Sequence, residues 1–319
     1  MAILEQWLTI LQTYYLDDYI KSGASAFKMF TSPDSESVSS VFSNIKELCE
    51  EGGYVYVEVL ASDCRIDRIE KLFFEIAKQI DWQKYIELDS IKMLKSNQYY
   101  IPVGVELTDI DEIARFNGLD THDFIRDINK ITRQEIFADR KMCKEFRTAV
   151  ASMRRSQFFP TQITPTDIET ISCWLQGGKV SLIALKDLRI YSKISRNNAR
   201  DMISALSKWI AYVSGKGLVI GLDLSALLKT TKITDELHYS KGALLDAYEV
   251  LRQFIDDTDE NENCLIIAGA PVSIITDEKR SLDSYYALKN RLMSEVHDKS
   301  KQNLLAALIN LDSRTDGGL

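Results

Sequence analysis

The chain of 319 residues lacks the sequence features that mark several large classes of protein. It has three histidines and five widely spaced cysteines, with no Cys-x-x-Cys pair, so we expect neither a zinc site nor a disulfide framework. No uninterrupted apolar run approaches the ~18 residues of a membrane-spanning helix, and the first residues carry no basic segment of the secretory type. We therefore expect a cytoplasmic protein with reduced, mostly buried thiols and no membrane partner.

An excess of positive charge is also missing. Lysine and arginine number 39 against 47 acidic residues, a formal net charge of −8, which argues against non-specific coating of nucleic acid but not against a local basic patch. Internal repeats and low-complexity segments are absent from the sequence. With 45% hydrophobic residues, the chain has a globular composition, and its length suits about two domains or one large α/β domain with an insertion.

Short apolar runs alternate with amphipathic stretches along the chain. The apolar runs at 55–60, 218–222 and 264–268 are bounded by turn residues, as buried parallel strands are. Helical spacing of apolar residues predicts helices over 3–20, 37–51, 66–80, 197–213 and 244–255. The four tryptophans lie in such helical stripes and are predicted to be core or interface residues rather than parts of a ligand site. This alternation predicts an α/β fold with a mostly parallel sheet flanked by helices.

The predicted elements divide the chain into four parts. We predict an N-terminal helix over 1–20, the first half of a sheet core over 21–87, a mostly helical insertion over 88–196, and the second half of the core over 197–319. In a fold of this order a ligand binds beyond the carboxyl ends of the strands. The residues that follow each predicted strand are therefore the first candidates for a functional site.

The segment 31–38 lies where a phosphate-binding loop would be expected. Such a loop needs glycines, whose backbone N–H groups cradle the phosphates, a lysine, and a serine or threonine for Mg²⁺. The segment has no glycine, no lysine and two carboxylates, and Pro33 removes one N–H donor. A carboxylate repels a polyphosphate at short range, so we predict a polar loop over 31–37 that does not serve as an ordinary phosphate loop.

Two later strand ends carry further candidates. Asp223 follows four apolar residues, which fits an acid that holds Mg²⁺ through water, or a residue that caps a turn. Ala270 stands at the next strand end, where a polar sensing side chain is missing. Beyond it, Arg280 and Arg291 are spaced to reach the same cleft, because guanidinium groups suit phosphate contact. Surface ion pairs with neighbouring acidic residues are the alternative for both arginines.

The densest basic stretch forms another candidate site. Its six cations fall on one predicted helical segment, on which Arg140, Lys144 and Arg147 share a face: Arg140, Lys141, Lys144, Arg147, Arg154 and Arg155. Such a face contacts nucleic-acid phosphates in some proteins and is simply solvated in others. We keep DNA contact as a hypothesis for this stretch.

Several segments together resemble a known protein family. They are 54–59 (YVYVEV), 173–177 (CWLQG) with Leu185-Lys186, 217–223 (GLVIGLD), and 267–271 (IAGAP) followed by the pattern D..RSL..Y.AL..RL over 277–292. These segments are similar to those of the ATP-binding proteins of BREX bacteriophage-defence systems, in the broad AAA+ P-loop ATPase class. The resemblance extends from about residue 20 to 295 and implies an AAA+-like sheet core with a helical middle insertion.

The sequence also departs from the family pattern at three separate positions. The family's glycine-rich loop falls on 31–38, where each signature residue is missing, and its acidic pair is reduced to Asp223-Leu224. Its closing threonine is replaced by Ala270, and a following glycine by Ser281. The resemblance therefore implies a degenerate nucleotide cleft formed by Thr31, Ser32, Asp34, Ser35, Ser37, Asp223, Ala270, Arg280 and Arg291.

These departures lead to one main functional hypothesis and two alternatives. The main hypothesis is a catalytically degenerate AAA+-like subunit of a prokaryotic anti-phage complex, without cofactor, metal or assigned catalytic residue. It would be a scaffold or regulatory partner of a complete ATPase, helicase, nuclease or methyltransferase subunit, and it is compatible with an oligomer. The first alternative is an unconventional ATPase that uses ATP with Mg²⁺ and Lys28, Arg280 or Arg291 as the phosphate cation. The second is a DNA-binding module of such a complex, with Arg140, Lys144, Arg147, Arg154 and Arg155 as its candidate nucleic-acid contacts. In the main hypothesis, any DNA would be reached through the other proteins of the complex.

Overall fold

The computed structural model describes residues 3–229, 237–293 and 303–311. The chain forms two compact units. One, here called the sheet unit, consists of Met1–Ile76 and Gly215–Leu319; the other, the helical unit, consists of Ala77–Ser214. Among the described residues, no helix combines the length and apolar character needed to cross a membrane.

A five-stranded parallel sheet forms the centre of the sheet unit. Its strands are β1 (Ser25–Ser32), β2 (Val55–Leu60), β3 (Leu218–Asp223), β4 (Cys264–Pro271) and β5 (Leu308–Asn310), in the order β2-β3-β4-β1-β5. All pairs are parallel, with Ser32 opposite Pro271 and Leu60 opposite Asp223. Strand β3 is buried along its whole length, which is why it is a nearly continuous apolar run. The predicted α/β fold is confirmed.

Thirteen α-helices accompany the sheet in the described part of the chain. They are α1 (Ile3–Ile10), α2 (Ser35–Gly52), α3 (Ile69–Gln79), α4 (Trp82–Ser96), α5 (Ile110–Phe116), α6 (Thr121–Thr132), α7 (Lys144–Phe158), α8 (Pro165–Leu175), α9 (Leu182–Asp187), α10 (Ala199–Ser214), α11 (Lys241–Asp256), α12 (Ser273–Thr276) and α13 (Tyr286–Leu292). Helices α2, α3, α10 and α11 agree with the predicted helices to within three residues at each end.

The first predicted helix, over 3–20, differs from the expectation. It is α-helical only to Ile10 and continues as a π-helix over Leu11–Ile20. Leu11 and Leu16 are both buried, although residues five apart point about 140° from each other on an α-helix. The wider π-helical turn brings them to the same side, where they join the core of the sheet unit.

Close packing places α2 directly on the sheet. Phe30 of β1 and Phe42 of α2 have ring centroids 5.2 Å apart, and Trp7 lies 5.4 Å from Phe30. A Cβ atom on Gly269 would lie 2.4 Å from Phe30 Cζ, so the close approach of the rings to β4 requires glycine there. This packing fixes the N-terminus of α2 at the carboxyl ends of the central strands.

The four tryptophans are buried, which is the core alternative of the prediction. Trp7 lies in the sheet unit and Trp174 in the helical unit. Trp82 and Trp209, also in the helical unit, stack with centroids 5.7 Å apart and planes at 14°. None of the five cysteines, all of which the structure describes, forms a disulfide.

Candidate functional site

The connection between β1 and α2 is much shorter than the predicted polar loop. Thr31 and Ser32 belong to β1 and are buried, so only Pro33 and Asp34 lie between the strand and the helix. Thr31 O accepts a hydrogen bond from the N–H of Leu311 at 2.8 Å. Ser32 O accepts one from Val272 N–H, also at 2.8 Å. The prediction of a loop at Thr31 and Ser32 is therefore corrected: their backbone is paired within the sheet layer.

Asp34 is the N-cap of α2. Its Oδ1 accepts a hydrogen bond from the backbone N–H of Ser37 at 2.8 Å, while Ser35 opens the helix. In phosphate-binding loops, the N–H groups at this end of the helix donate to a bound phosphate. Here a carboxylate of the chain takes that role, and it brings a negative charge to the place where a phosphate would lie.

Asp223 fixes the turn after β3. The residue is 7% exposed, and its Oδ1 accepts a hydrogen bond from Ser225 N–H at 2.8 Å. The sequence allowed two roles for Asp223, magnesium binding through water or capping of a turn, and this hydrogen bond is the turn-capping one. Ala270 is fully buried at the end of β4. Among the described residues, no cluster of three or more histidine, cysteine or acidic side chains is arranged to hold a metal ion.

A second carboxylate near Asp223 was missed by the sequence reasoning. Glu58 lies on β2, where Tyr56 Oη donates a hydrogen bond to Glu58 Oε2 at 3.1 Å. Burial raises the pKa of Glu58, the hydrogen bond from Tyr56 opposes this rise, and the charge of Asp223 adds to it. The signal was an acidic residue inside the otherwise apolar and aromatic run YVYVEVL. Glu58 lies opposite Gly221 of β3, two positions before the Leu60–Asp223 pair, so its carboxylate feels the charge of Asp223 from within the sheet.

Arg280 is held by the backbone of its own unit. Its Nη2 donates to the carbonyl oxygens of Leu227 and Tyr239, both at 2.7 Å, and its Nε donates to Leu227 O at 3.2 Å. We predicted that Arg280 would reach toward a nucleotide cleft. The structure instead directs its guanidinium to two chain segments that it ties together.

Arg291 takes part in an ionic network between α11 and α13. Its Nε donates to Asp256, and Asp256 also pairs with Arg252. Arg252 in turn makes two hydrogen bonds of 2.7 Å to Glu249, which accepts a further hydrogen bond from Tyr285. The ion-pair alternative is thus the observed one for Arg291, although Asp256, 35 residues away, is the partner.

Lys28 is also bound inside the sheet unit. Its Nζ donates to the carbonyl oxygens of Leu305 and Ala306 at 2.5 and 2.8 Å and lies 4.5 Å from the centre of the Tyr15 ring. Burial lowers the pKa of Lys28 to about 8. Each of the three cations considered for phosphate neutralisation therefore has partners within the protein.

The basic stretch does not form a single helical face. Helix α7 begins at Lys144, so Arg140 precedes it. Arg154 is 1% exposed and makes hydrogen bonds of 2.6 and 2.7 Å to Asp89, together with an ion pair to Glu135. The predicted DNA contact of Arg154 is therefore wrong, because α7 turns this residue into the core of the helical unit.

The remaining cations of this stretch differ in their surroundings. Arg147 Nη1 donates to the carbonyl oxygen of Phe137 at 2.6 Å, and Lys144 lies over the ring of Tyr191. Arg155 is exposed and donates to Gln162 Oε1 at 2.7 Å. The six predicted cations thus do not share one surface.

Comparison with known proteins supplies the family. The model of the BREX system ATP-binding protein BrxC/D family matches residues 111–318, about two thirds of the chain. The chain belongs to this family. Neither the curated proteins nor the solved structures contain a match. Membership of the BREX family supports a role in a phage-defence system together with the other proteins of that system.

The BREX family match covers part of the candidate site. It includes Asp223, Ala270, Arg280 and Arg291, whereas β1, Asp34 and the start of α2 lie before residue 111. The geometry of the β1–α2 connection is therefore an observation on this chain alone. It can be tested by substitution at Asp34.

We expect Asp34→Ala to lower the free energy of unfolding of the sheet unit by about 1 kcal/mol, because α2 loses its N-cap. Asp34→Asn keeps an oxygen acceptor for the Ser37 N–H and should stay within a few tenths of a kcal/mol of the wild type. Urea unfolding of the three proteins measures both differences. Equal stability of all three would contradict the capping role.

The ionic network around Arg291 gives a pH-dependent prediction. Hydrogen bonds from Arg252 lower the pKa of Glu249 from 4.5 to about 2. The ionised carboxylate therefore adds stability above pH 4.5, and this contribution is lost as the pH falls toward 2. Solvent screens the pair, so we expect Glu249→Gln to lower the stability at neutral pH by on the order of 1–2 kcal/mol.

Urea midpoints of the wild type and Glu249→Gln should therefore converge as the pH is lowered from neutral toward 2. The exposed residue Glu278 supplies the control, because Glu278→Gln removes a negative charge outside the network. A difference between the wild type and Glu249→Gln that stays constant over this pH range would contradict the linkage.

Proposed function

We propose that this chain is a non-hydrolysing subunit of a BREX-type phage-defence complex, in which an AAA+-like core is a scaffold or regulatory partner. The sheet unit would be that core, and the helical unit its insertion. The observation that carries the proposal is the two-residue β1–α2 connection, in which Asp34 caps the helix end that would otherwise receive a phosphate. A carboxylate at this position repels ATP, whereas a loop lysine attracts it.

The positions of the cations support the same proposal. An unconventional ATPase would need Lys28, Arg280 or Arg291 to neutralise the phosphates, and each of these side chains is bound to carbonyl or carboxylate groups of the protein. Releasing Lys28 or Arg280 toward a nucleotide would leave backbone carbonyls without their charged donors. The favourable contacts of the cation with the phosphates would have to offset the lost hydrogen bonds to these carbonyl groups.

Calorimetric titration with ATP, with and without Mg²⁺, tests the proposal together with a phosphate-release assay. We expect no Mg²⁺-dependent binding at the strand ends and no phosphate release by the purified chain. Asp223→Ala should leave the titration unchanged, as should the matched control Asp246→Ala, which alters an exposed aspartate on α11. Micromolar, Mg²⁺-dependent binding that disappears in Asp223→Ala but persists in Asp246→Ala would overturn the proposal.

The partner role is tested in the assembled system. We propose that the partners are other BREX proteins and that any ATP hydrolysis in the complex belongs to one of them. Affinity purification of tagged wild-type chain with the co-expressed BREX proteins should retain at least one partner. The ATPase rate of that assembly should be the same with wild-type chain and with Asp223→Ala. Loss of the rate in Asp223→Ala would assign hydrolysis to this chain.

A further inference from the structure

The helical unit contains an open cavity of about 800 Å³. Its walls come from α6, the π-helix Arg133–Phe137, α7 and the segments that follow α7 and α9. All of its lining residues belong to Ala77–Ser214, so the cavity is formed within one unit. Cavities of about 300–1,000 Å³ are the usual size of small-molecule and cofactor sites.

Arginines dominate the charge of this cavity, here called the arginine groove. Arg133, Arg155 and Arg189 line it, against a single carboxylate, Asp187, among the described lining residues. The lining thus carries an excess of two positive charges in a chain whose net charge is −8. A concave surface that collects one sign of charge attracts ligands of the opposite sign, and guanidinium groups bind phosphate through two parallel hydrogen bonds.

Arg189 has a backbone conformation that arginine rarely adopts. Its φ is 61°, in the left-handed region, at the residue that ends the turn after α9. Its N–H donates to Lys186 O at 2.9 Å, and the next N–H, of Ile190, donates to Leu185 O at 2.8 Å. Glycine is the usual residue at such a helix end, because a side chain there costs roughly 1 kcal/mol. Arginine occupies this unfavourable position with its side chain on the wall of the groove.

The groove also offers contacts for the uncharged part of a ligand. Phe137 lines it with 46% of its surface exposed, which leaves an aromatic face for stacking. Asn129 and Ser152 add amide and hydroxyl groups to the lining. Arg155 is oriented by its hydrogen bond to Gln162, itself a lining residue. Arginines, an exposed aromatic ring and polar side chains are what a phosphate ester with a nucleobase requires.

We propose that the arginine groove binds a nucleotide phosphate ester, either as a free nucleotide or as a segment of single-stranded nucleic acid. Both sources present the same chemistry, a phosphate for the guanidinium groups and a base for Phe137. The site is separate from the strand ends of the sheet unit. It therefore does not depend on whether the β1–α2 connection binds ATP.

Two titration series on the full-length chain distinguish the two sources. One uses AMP and ATP without Mg²⁺ in a calorimeter, and the other uses a fluorescently labelled single-stranded oligonucleotide in a polarisation assay. Binding in either series supports the groove if Arg189→Gly and Arg155→Gln each weaken it about tenfold or more, as the loss of a charge-assisted hydrogen bond does. For the oligonucleotide, each variant should also reduce the salt dependence of the affinity by about one unit of slope.

The choice of variants separates binding from folding. Arg189→Gly removes the guanidinium and at the same time relieves the left-handed backbone, so the variant should be at least as stable as the wild type. Arg126→Gln is the matched control, because Arg126 is an exposed arginine of α6 that pairs with Asp123 outside the groove lining. It should change the affinity less than twofold, and Asp34→Ala and Asp223→Ala should not change it. Absence of binding in both series, or binding that survives Arg189→Gly and Arg155→Gln, would overturn the proposal.

Discussion

Asp89→Ala is expected to lower the free energy of unfolding of the helical unit by about 3–5 kcal/mol. Asp89 is 0% exposed and its partner Arg154 is 1% exposed, with two hydrogen bonds of 2.6 and 2.7 Å between them. Removing the carboxylate leaves the guanidinium buried with Glu135, which is partly exposed, as its remaining carboxylate partner in the described structure. A buried charge that loses its fully buried partner and keeps only a partly exposed one has a large desolvation penalty.

Urea unfolding followed by tryptophan fluorescence measures this loss, since Trp82 and Trp209 lie in the core of the same unit. Asp123→Ala is the matched control, because it breaks the exposed pair of Asp123 with Arg126 and should cost less than about 1 kcal/mol. The double variant Asp89→Leu with Arg154→Met removes both charges and should recover much of the lost stability. A loss below 1 kcal/mol in Asp89→Ala, or a double variant less stable than Asp89→Ala, would contradict the assignment.

The fold was predictable from the sequence where local pattern and burial agree. Strands β3 and β4 are buried apolar runs that end in turn residues; β3 was predicted to within one residue, whereas β4 continues three residues beyond the predicted run, to Pro271. The end of strand β1 was predicted as loop because Thr31 and Ser32 are polar. They extend the strand since their carbonyl groups pair with Leu311 and Val272, and neither partner is recognisable from the segment itself. The π-helix was not predicted, because the apolar spacing over 3–20 fits an ordinary α-helix, and the wider turn shows only in the burial of both Leu11 and Leu16.

The residues missing from the candidate site were easier to predict from the sequence than the partners of its charged side chains. The missing glycine and lysine before α2 were visible in the sequence, and the structure adds that Asp34 caps the helix. The roles of the arginines were not visible, because their partners are distant along the chain. Arg154 pairs with a residue 65 positions away, and Arg280 with carbonyl groups 53 and 41 positions away. Helical periodicity places a side chain on a face but does not identify the residue opposite it.

Arg280→Ala is expected to lower the free energy of unfolding of the sheet unit by about 2–4 kcal/mol. The carbonyl groups of Leu227 and Tyr239 belong to fully buried residues and would lose their charged donor. A hydrogen bond to a charged group contributes about 1.5–3 kcal/mol, and an unpaired buried carbonyl is penalised further. Tyr239 also connects to a third segment through its hydroxyl group, which donates to Cys64 O at 2.6 Å. Loss of Arg280 should therefore loosen several segments at once.

Two further variants distinguish this structural role of Arg280 from a role in which Arg280 contacts the nucleotide of a neighbouring ATPase. Arg280→Lys keeps the charge but lacks the planar fork that reaches both carbonyl groups, so it should recover less than half of the lost stability. Arg291→Ala breaks a partly exposed pair with Asp256 and should cost less than about 1 kcal/mol. Urea unfolding of the full-length chain, followed by circular dichroism, measures all three. A guanidinium that holds its own chain together cannot be removed without loss of stability. If Arg280→Ala instead kept wild-type stability and slowed ATP hydrolysis by a BREX partner, Arg280 would act on that partner's nucleotide.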